Sequence, residues 1–387
     1  MTNIVKEVRE QRKMTQTGLS DAVGISRRAL VSIEKQQTIP SVDTALRLSE
    51  VLGVGVDKLF IESTIANSEA KNITFPSCIR FIDLFCGIGG FRYAARETFS
   101  SLGIKGKCVF SSDIDIPAQK SYEANFGERP SGDITKIDAK DIPDFELLFG
   151  GFPCQAFSII GKREGFADKT RGTLFFDIAR ILKEKRPKAF VLENVKQLVS
   201  HDGGRTINTI ISILRDELGY HVDYRILNAL DYGLPQKRER VVIVGSTKPF
   251  VMQWPEPVKN GKTLNDILER KVDTKYYASE AIVNKRKSMH ASKYYPAIWH
   301  ENKAGNISSY PYSCALRAGA SYNYLLVNGE RRLTPRECLR LQGFPDDFKM
   351  VVSDCQIRKQ AGNAVPVAMI QCVLDSFIPL VFGESER

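Results

Sequence analysis

The sequence has 387 residues, of which 43% are hydrophobic and 26% are charged, and this composition excludes collagen-like, disordered and coiled-coil proteins. Lysine and arginine outnumber aspartate and glutamate by 55 to 45, and this net charge of +10 favours a polyanionic partner such as nucleic acid. Uncharged stretches such as Ala189–Leu192 and Val365–Val373 are shorter than the roughly 20 apolar residues that span a bilayer, so we expect a soluble, cytosolic protein without a membrane segment.

The first 60 residues carry four short helical patterns and no alternation typical of strands. Thr15 is placed to cap a helix over Gln16–Val23, in which Leu19, Ala22 and Val23 share a face. Ser26 is placed to cap a second helix over Arg27–Lys35. Two short helices that meet at one tight turn have helix-turn-helix spacing, and the segment resembles the repressor-type helix-turn-helix domains. A helical bundle that contacts other proteins is the alternative.

The helix-turn-helix resemblance implies that the second helix enters the major groove of DNA. Exposed polar residues on that helix then contact base edges or phosphates, namely Arg27, Arg28, Ser32 and Lys35. After this domain, which we assign to residues 1–62, the sequence loses periodicity and gains polar residues. We therefore expect a linker over residues 63–77.

A largely apolar run over Ile79–Leu84 predicts a buried strand, and it leads into the glycine turn FCGIGGF and a helical pattern over Phe91–Thr98. This succession lets the backbone approach a ligand closely at the carboxyl edge of a parallel sheet. The glycine spacing differs from G-x-G-x-x-G, which disfavours hydride chemistry with a nicotinamide cofactor.

A second apolar run, Cys108–Ser112, ends at Asp113, and an acid at a strand end accepts hydrogen bonds from ribose hydroxyls in doubly wound folds. Asp133 in GDIT is predicted as a further strand-end acid that meets an adenine amino group. Each carboxylate alone is also compatible with a solvated loop or a helix cap. Together the strand ends predict a nucleoside pocket.

The strand predicted over Phe145–Gly151 leads into GGFPCQAFS and Cys154. Most of the eight cysteines are interpreted as small buried hydrophobic residues, and the absence of a C-x-x-C pair argues against a metal site or a disulfide framework. Cys154 differs because a proline and glycines present its thiol at a strand end beside the predicted pocket. We interpret it as a nucleophile.

The residues after Cys154 are rich in glycine and charge up to Gly172, which is typical of a loop that closes over substrate. A helix and another apolar strand follow, and Glu193 stands at the end of that strand. Arg238 and Arg240 come immediately before a further apolar strand. The pattern therefore predicts that an acid and two guanidinium groups reach the same sheet edge as Cys154.

The sequences FIDLFCGIGGF, GDIT, GGFPCQAFS, RGTLFFDIAR, ENV, QKRER, RLTPRECLRLQGFPD and GNAVPV occur in this order. In this they resemble the C5-cytosine DNA methyltransferases of prokaryotic restriction-modification systems, over roughly residues 79–375. The resemblance implies an α/β fold, a Rossmann-like fold of S-adenosylmethionine-dependent methyltransferases with a mixed, mostly parallel sheet. A small target-recognition domain and the N-terminal all-α helix-turn-helix domain accompany it.

The resemblance also implies roles for the four candidate catalytic residues. Cys154 adds to C6 of cytosine, and Glu193 protonates or hydrogen-bonds N3. Arg240 holds the base carbonyl, and Arg238 fixes Glu193 or a phosphate. For S-adenosyl-L-methionine it implies contacts from Phe81, Leu84, Gly87, Gly89, Asp113, Ile114, Asp133, Ile134, Pro153, Leu174 and Asn363. Ile114 stands where the family often has an aromatic residue. The last segment, which carries Asn363, must fold back beside the first strand.

By the same resemblance the catalytic domain spans residues 78–247, the target-recognition domain 248–345, and a C-terminal segment, 346–387, completes the catalytic domain. The target cytosine is flipped out of the duplex. Further DNA contacts are expected from the catalytic loop and from the target-recognition domain, namely Gln155, Ser158, Arg171, Arg317, Ser321, Tyr322 and Asn323. Trp254 and Trp299 either face DNA or form the core of this small domain.

We therefore expect a site-specific DNA (cytosine-5-)-methyltransferase that binds double-stranded DNA as a monomer, in the bacterial cytoplasm at the nucleoid. It has no metal, and its functional partner is a restriction endonuclease. The helix-turn-helix domain is expected to bind its own promoter. Two alternatives remain, a tRNA cytosine-5 methyltransferase and a transcription regulator with an inactive catalytic domain. The basic insert before RLTPREC and the DNA-binding amino terminus argue against the former.

Overall fold

The computed structural model describes residues 2–34, 38, 40–61, 73–153, 174–321 and 323–385. The chain divides into two compact units, the N-terminal unit, Met1–Ile73 with Ser385–Arg387, and the large unit, Thr74–Glu384. Six candidate site residues lie outside the described residues, namely Lys35, Cys154, Gln155, Ser158, Arg171 and Tyr322.

The N-terminal unit is helical, with a short antiparallel ribbon. Its elements are β1 (Thr2–Asn3), α1 (Val5–Gln11), α2 (Gln16–Val23), α3 (Arg27–Glu34), α4 (Val42–Leu52), α5 (Val56–Leu59) and β2 (Phe60–Ile61), and β1 pairs with β2. The sequence indicated four helices and no strand. The single turn α5 and the two-residue strands are too short to produce a periodic pattern.

The predicted caps of α2 and α3 are confirmed. The Thr15 Oγ1 atom accepts the Gly18 N–H at 3.0 Å, and the Ser26 Oγ atom accepts the Ala29 N–H at 3.1 Å. Leu19 and Leu30 are fully buried between the helices. The predicted place of Ala22 on the buried face of α2 is wrong, because Ala22 is exposed and α2 turns Leu19, Ser20 and Val23 inward instead.

A buried ion pair fixes the carboxyl end of α3. The Arg9 Nε atom of α1 lies 2.5 Å from the Glu34 Oε1 atom, and these side chains are 8% and 2% exposed. The Gln16 amide at the start of α2 donates to the other Glu34 oxygen at 2.8 Å. Glu34 therefore ties α3 to both preceding helices, which sets the direction in which α3 presents Arg27 and Arg28.

The large unit is built on a mixed sheet. The remaining strands of the chain are β3 (Ile73–Thr74), β4 (Cys78–Leu84), β5 (Lys105–Ser112), β6 (Leu147–Gly151), β7 (Ala189–Val195), β8 (His221–Asn228), β9 (Gln236–Lys237), β10 (Glu239–Ser246), β11 (Ile298–Glu301), β12 (Ile307–Tyr310), β13 (Ser313–Cys314), β14 (Leu325–Val327) and β15 (Glu384–Ser385). Six strands form the main sheet in the order β5-β4-β6-β7-β10-β8. The pairs from β5 to β7 are parallel, and β10 is antiparallel to both of its neighbours. The predicted mixed, mostly parallel fold is confirmed.

Helices cover both faces of this sheet, so alternate strand residues enter two separate apolar clusters. The helices are α6 (Gly90–Ser101), α7 (Ile116–Phe126), α8 (Phe175–Lys185), α9 (Gln197–Ser200), α10 (Arg205–Ser212), α11 (Leu264–Ile267), α12 (Glu280–Met289), α13 (Pro335–Leu341), α14 (Asp354–Asn363) and α15 (Val367–Phe382). Phe81 of β4 packs with α6 and α15 on one face, whereas Ile82 packs with α8 and α10 on the other. The strand ends are thereby held rigidly at one edge.

The run Asp354–Phe382 is apolar enough over an 18-residue window to cross a membrane by composition. The apolar window is longer than the uncharged stretch Val365–Val373 noted in the sequence, because Asp375 is the only charged residue between Val365 and the end of the run. Met369, Val373 and Phe377 of α15 are fully buried in the cluster that contains α6. The apolar surface of α15 therefore packs within the protein, as in a core helix.

A smaller antiparallel sheet, β12-β11-β14, lies in the segment predicted as the target-recognition domain. Trp254 and Trp299 are 8% and 5% exposed, which favours the core interpretation of both residues over contact with DNA. Their cluster continues into that of α6 and α15. The predicted domain boundaries at residues 247 and 345 stay a prediction, because one apolar cluster crosses them.

The buried carboxyl group of Asp83 makes the stability of the large unit depend on pH. Its side chain is fully buried in β4, and neither oxygen has a hydrogen-bond partner among the described residues. Burial raises its pKa from 3.8 to about 8, although Arg92 lowers it. Asp83 therefore keeps its proton in the folded state at pH values where the unfolded chain has lost it. The protein has the full stabilisation below the pKa of Asp83 in the unfolded chain, and it loses this stabilisation as the pH rises through the pKa of Asp83 in the folded state.

We expect Asp83→Asn to flatten this dependence. Each pKa unit corresponds to about 1.4 kcal/mol, so the wild-type protein loses several kcal/mol that the amide does not lose. The measurement is the free energy of unfolding between about pH 5 and 9. Asp144→Asn, which removes an exposed carboxylate, is the control and keeps the wild-type slope. If the free energy of unfolding of Asp83→Asn changes with pH as steeply as that of the wild type, the pH dependence does not come from Asp83.

Candidate active site

A cavity of about 780 Å³ opens at the carboxyl ends of the parallel strands of the main sheet. The candidate site residues in its wall are Gly87, Asp113, Ile114, Asp133, Ile134, Pro153, Leu174, Glu193, Arg238, Arg240 and Asn363. They come from loops and strand ends that are up to 276 positions apart, between residues 87 and 363. The fold thus brings the acids, the guanidinium groups and the glycine turn together.

The glycine turn after β4 supports one wall of the cavity. Phe85 and Gly87 both adopt left-handed backbone angles, with φ of 56° and 54°. The Gly87 N–H donates to the Asp113 Oδ2 atom at 2.8 Å. A side chain at Gly89, whose φ is 83°, would place its Cβ 2.2 Å from the Phe126 ring. The turn is therefore fixed by glycine and by the acid that follows β5.

The Asp113 carboxylate holds two backbone segments together. Besides Gly87, it accepts the Asp115 N–H at 2.8 Å through Oδ1. Burial raises the pKa of Asp113, and these two backbone donors oppose that rise. A carboxylate has about four lone-pair sites, so two remain for hydroxyl donors from the cavity. This arrangement suits a diol such as the ribose of a nucleoside.

Asp133 lies in the cavity wall, but its predicted position at a strand end is wrong. It caps a short 3₁₀ turn, Ile134–Lys136, by accepting the Thr135 N–H at 3.0 Å and the Thr135 hydroxyl at 2.7 Å. Hydrogen bonds from Thr135 lower its pKa. This segment joins β5 only through a bridge between Ser112 and Ser131, so no strand leads into Asp133.

Three residues that the resemblance assigned to the cofactor do not line the cavity. The Phe81 ring lies in the core, 5.5 Å from the Phe149 ring. Leu84 is fully buried in the opposite apolar cluster, and Gly89 caps α6 against Phe126. The structure therefore assigns these residues to packing and to the shape of the turn. By contrast, Ile114 is 70% exposed at the cavity.

Glu193 and Arg240 face each other across two antiparallel strands. In the register of β7 and β10, Glu193 lies opposite Val242 and Arg240 lies opposite Val195. The Arg240 Nε and Glu193 Oε1 atoms are 2.8 Å apart, and the two side chains are 13% and 9% exposed. The Arg240 N–H does not point along a hydrogen-bond direction toward Oε1, so the two groups attract each other as a buried ion pair.

Burial raises the pKa of Glu193, and the nearby guanidinium groups of Arg240 and Arg238 oppose that rise. The carboxyl group therefore keeps a proton more readily than an exposed glutamate does. Arg240 stands within β10, although the sequence placed it before this strand. Because β10 runs antiparallel, its first residues still reach the edge at which β7 ends.

Arg238 also borders the cavity, but its side chain is only 1% exposed. Its terminal nitrogens donate to the carbonyl oxygens of Leu316 at 3.1 Å, Gly362 at 3.0 Å and Ala364 at 2.8 Å. Burial lowers its pKa. A contact between Arg238 and a phosphate is incompatible with this position. Of the two expected roles, only proximity to Glu193 agrees with the geometry.

The described candidates for DNA contact in the large unit are near one another. Arg317 is exposed, and its guanidinium lies 4.7 Å from the Tyr324 ring, whose hydroxyl accepts the Arg317 N–H. Ser321 is exposed, and Asn323 gives its carbonyl oxygen to Arg286. Arg317 and Ser321 are therefore free to meet a ligand, while the backbone of Asn323 is already engaged.

In the N-terminal unit, Arg27 and Arg28 are exposed on the first turn of α3. Ser32 is half-buried, and its hydroxyl lies 2.7 Å from that of Thr38. Within the described residues the two arginines project from α3 without an ion pair to a carboxylate, whereas the Ser32 hydroxyl is engaged by Thr38.

The cavity wall contains residues that the sequence did not single out. Phe85 lies beside the glycine turn, and Lys359 forms an ion pair with Asp115 at 2.6 Å. The only feature of the sequence that pointed to Asp115 is its position two residues after Asp113. In the described ranges, no three His, Cys, Asp or Glu side chains are grouped to hold a metal ion.

Comparison with known proteins identifies both parts of the chain. Residues 79–378 match the family model of the C-5 cytosine-specific DNA methylases, and residues 5–59 match a helix-turn-helix model. The chain is 54% identical to the Type II methyltransferase M.NgoBI of Neisseria gonorrhoeae over 293 residues, which cover 75% of this chain and 90% of that protein.

Two further comparisons extend this result. The Type II methyltransferase M.SsoII of Shigella sonnei is 42% identical over 389 aligned positions, with 97% of each protein covered, so the likeness includes the N-terminal unit. The crystal structure of the S. pombe Dnmt2 methyltransferase superposes with a TM-score of 0.59 at 21% identity, over 78% of this chain and 98% of that one, which shows a shared fold. With the cavity and its acidic and guanidinium groups in place, the chain belongs to the C-5 cytosine-specific DNA methylases and carries an N-terminal helix-turn-helix region.

Proposed function

We propose that this enzyme is the Type II methyltransferase of a restriction-modification system and methylates C5 of a specific cytosine in double-stranded DNA. The observation that carries this proposal is a single cavity with two chemically different ends. Asp113 and the glycine turn follow β5 and β4 at one end, and the buried pair Glu193 and Arg240 lies on β7 and β10 at the other, with β6 between them. One end suits a nucleoside with a ribose, and the other suits the polar edge of a base.

The residues present fit S-adenosylmethionine as the methyl donor. Asp113 has acceptor positions for the ribose hydroxyls, and Ile114 and Ile134 offer apolar surface for the adenine. Asp133, Pro153, Leu174 and Asn363 complete the wall that this cofactor would contact. When bound, S-adenosylmethionine supplies an electrophilic methyl group. Ile114 has no aromatic ring that could stack on the adenine. We therefore expect the carboxylates of the cavity wall to contribute more to cofactor binding than the side chain at position 114 does.

C5 of cytosine becomes nucleophilic enough to accept that methyl group only after a nucleophile adds at C6. We assign this addition to the Cys154 thiolate, on the strength of its position in GGFPCQAFS and of its peptide bond to Pro153 in the cavity wall. The S–C6 bond forms as the ring double bond shifts its electrons toward C5. Loss of the C5 proton to water after methylation then lets Cys154 leave.

Glu193 and Arg240 assist this addition from the edge of the base. A proton given by Glu193 to N3 withdraws electrons from C6, and burial, which raises the pKa of Glu193, favours the protonated form that this step needs. Arg240 then donates to the carbonyl oxygen of the base and stabilises the negative charge that develops on the ring. In the resting cavity the two side chains pair with each other, and the base replaces that contact.

A cytosine inside a duplex cannot reach this cavity, so the base must be flipped out at a cost of about a few kcal/mol. We assign the stabilisation of the opened duplex to the segment with Gln155, Ser158 and Arg171, and sequence recognition to Arg317, Ser321, Tyr322 and Asn323. The exposure of Arg317 and Ser321 supports their part in this assignment. One monomer carries all of these groups.

The experiment that tests this function measures transfer of a tritiated methyl group from S-adenosylmethionine to unmethylated duplex DNA and to tRNA. Labelled DNA with unlabelled tRNA supports the proposal. Labelled tRNA alone would make the protein an RNA methyltransferase, and no label in either would leave a DNA-binding regulator. Bisulfite sequencing of DNA from an expressing host then identifies the methylated sequence and the endonuclease site that it protects.

For the N-terminal unit we propose binding to the promoter of its own operon in the bacterial nucleoid. Arg27 and Arg28 project from the start of α3, the helix that a helix-turn-helix places in the major groove. The ion pair of Glu34 with Arg9 supports this role because it fixes the direction of α3 from its other end.

We expect the double substitution Arg27→Ala with Arg28→Ala to reduce promoter affinity at least about tenfold, because each lost base or phosphate contact costs about 1 kcal/mol or more. Methylation of the target site should keep its wild-type rate. Gel-shift titration with promoter DNA measures the first effect, and the tritium assay measures the second. Lys6→Ala, which removes an exposed charge from α1, is the control. Unchanged promoter binding in the double variant would refute the regulatory role.

A further inference from the structure

A segment that lines the active-site cavity and a segment outside that cavity are joined by one buried side chain. The segment Leu316–Ala318 carries Arg317, which we assign to DNA, and the segment Gly362–Ala364 carries Asn363, which we assign to the methyl donor. Arg238 donates from Nη1 to the Leu316 carbonyl oxygen and from Nη2 to the carbonyl oxygens of Gly362 and Ala364, at 2.8 to 3.1 Å. A single guanidinium thus bridges both segments.

The same two segments also touch directly, backbone against backbone. A Cβ atom at Gly362 would lie 2.6 Å from the Ala318 nitrogen and 2.9 Å from the Arg317 carbonyl carbon. Because these are backbone atoms, they cannot move aside as the end of a flexible side chain does. Gly362 is therefore required for the close approach, independently of any charge on Arg238.

A further buried group holds Leu316 from its other side. The Gln236 Oε1 atom accepts the Leu316 N–H at 3.0 Å, and the Gln236 Nε2 atom donates to the Leu341 carbonyl oxygen at 2.9 Å. The N–H and the carbonyl oxygen of Leu316 are thus engaged by Gln236 of β9 and by Arg238, which directly precedes β10. The segment that presents Arg317 is consequently anchored to the sheet that carries Arg240.

We propose that Arg238 is a positioning residue, which together with Gly362 sets the DNA-side segment Leu316–Ala318 against the cofactor-side segment Gly362–Ala364. This inference rests on the proposed function, because the two ligands are assigned there. Its consequence is that a defect at this junction weakens the binding of both ligands. Loss of a residue that touches one ligand weakens the binding of that ligand alone.

The test measures equilibrium binding of two probes, S-adenosylhomocysteine and a duplex that carries the methylated sequence. We expect Arg238→Lys to raise both dissociation constants about fivefold or more, since one ammonium group cannot reproduce the fork that meets three carbonyl oxygens. Gly362→Ala should raise both as well, without any change of charge. Arg317→Ala should weaken only the duplex, and Asn363→Ala only S-adenosylhomocysteine.

A double-variant cycle separates one junction from two unrelated defects. If Arg238 and Gly362 serve the same contact, the combined variant binds no more weakly than the poorer single variant, whereas independent effects multiply. Arg331→Lys is the matched control, because Arg331 is a buried arginine whose guanidinium hydrogen-bonds to Glu337 and to the Arg332 carbonyl oxygen rather than to either segment. It should lower the thermal midpoint and leave both dissociation constants within about twofold.

The outcomes distinguish the inference from the function on which it rests. Wild-type protein that binds neither probe would overturn the proposed function. The positioning role would be overturned if the wild-type protein binds both probes but Arg238→Lys and Gly362→Ala each weaken the binding of only one probe. If Arg238→Lys does not fold, Gly362→Ala alone decides between these results.

Discussion

Replacing Cys154 by serine is expected to abolish methyl transfer while cofactor binding stays close to that of the wild type. The hydroxyl is a much weaker nucleophile than the thiolate at neutral pH, and removal of a catalytic nucleophile lowers turnover by at least about 10³-fold. The described cavity wall, with Asp113 and the glycine turn, is unaltered by the change. Tritium transfer measures turnover, and titration with S-adenosylhomocysteine measures cofactor binding.

A trapping experiment tests the covalent step directly. When S-adenosylmethionine methylates 5-fluorocytosine at the target position, C5 carries fluorine and the new methyl group and has no proton to lose, so the S–C6 bond should persist as an adduct stable to denaturing gels. Cys314→Ser is the matched control, because Cys314 is a partly buried thiol outside the cavity, and it should form the adduct normally. A wild-type rate in Cys154→Ser, or no adduct with the wild-type protein, would discard the covalent route.

Glu193→Gln is expected to lower turnover by about 10²- to 10⁴-fold, the range for loss of a general acid. Glutamine keeps the size of the side chain and can still hydrogen-bond N3, but it cannot supply a proton. It also leaves the buried Arg240 guanidinium without its partner carboxylate, which adds to the loss. Single-turnover measurements of methyl transfer give the rate of the chemical step.

The pH profile distinguishes proton donation from a structural role of Glu193. In the wild-type protein the reactive form holds the proton, so the rate falls as the pH rises through a pKa that burial places above the ordinary value of 4.5. In Glu193→Gln that fall should be absent over about pH 5 to 9. Glu239→Gln changes a neighbouring, more exposed carboxylate and should retain it. A pH-dependent fall of the same shape in Glu193→Gln would contradict the assignment.

Sequence reasoning predicted the parts of the site that depend on local patterns. The apolar runs predicted β4, β5, β6 and β7 to within a few residues, and parallel strand ends meet at one edge, so Asp113 and Glu193 were expected together. Phe81 and Leu84 were assigned to the cofactor by resemblance alone. Both are buried because helices cover both faces of the sheet, which the pattern of a single strand does not reveal.

Tertiary partners limited the remaining predictions. The carbonyl oxygens that Arg238 meets are 78, 124 and 126 positions away, and no local periodicity encodes such contacts. The sequence therefore predicts a catalytic Arg238 that fixes Glu193 or a phosphate, and it does not predict these carbonyl contacts. Asp133 was mistaken for a strand end because its role as a turn cap depends on Thr135, and caps and strand ends favour the same short acids.

The buried pairing of Glu193 with Arg240 separates two steps by their sensitivity to salt. Counterions accumulate around exposed charges such as Arg317 and weaken their attraction to phosphates, because the Debye length is only about 8 Å at physiological ionic strength. They cannot enter a pair whose side chains are 9% and 13% exposed. We therefore expect ionic strength to change the capture of a duplex more strongly than it changes the electrostatics at Glu193 and Arg240.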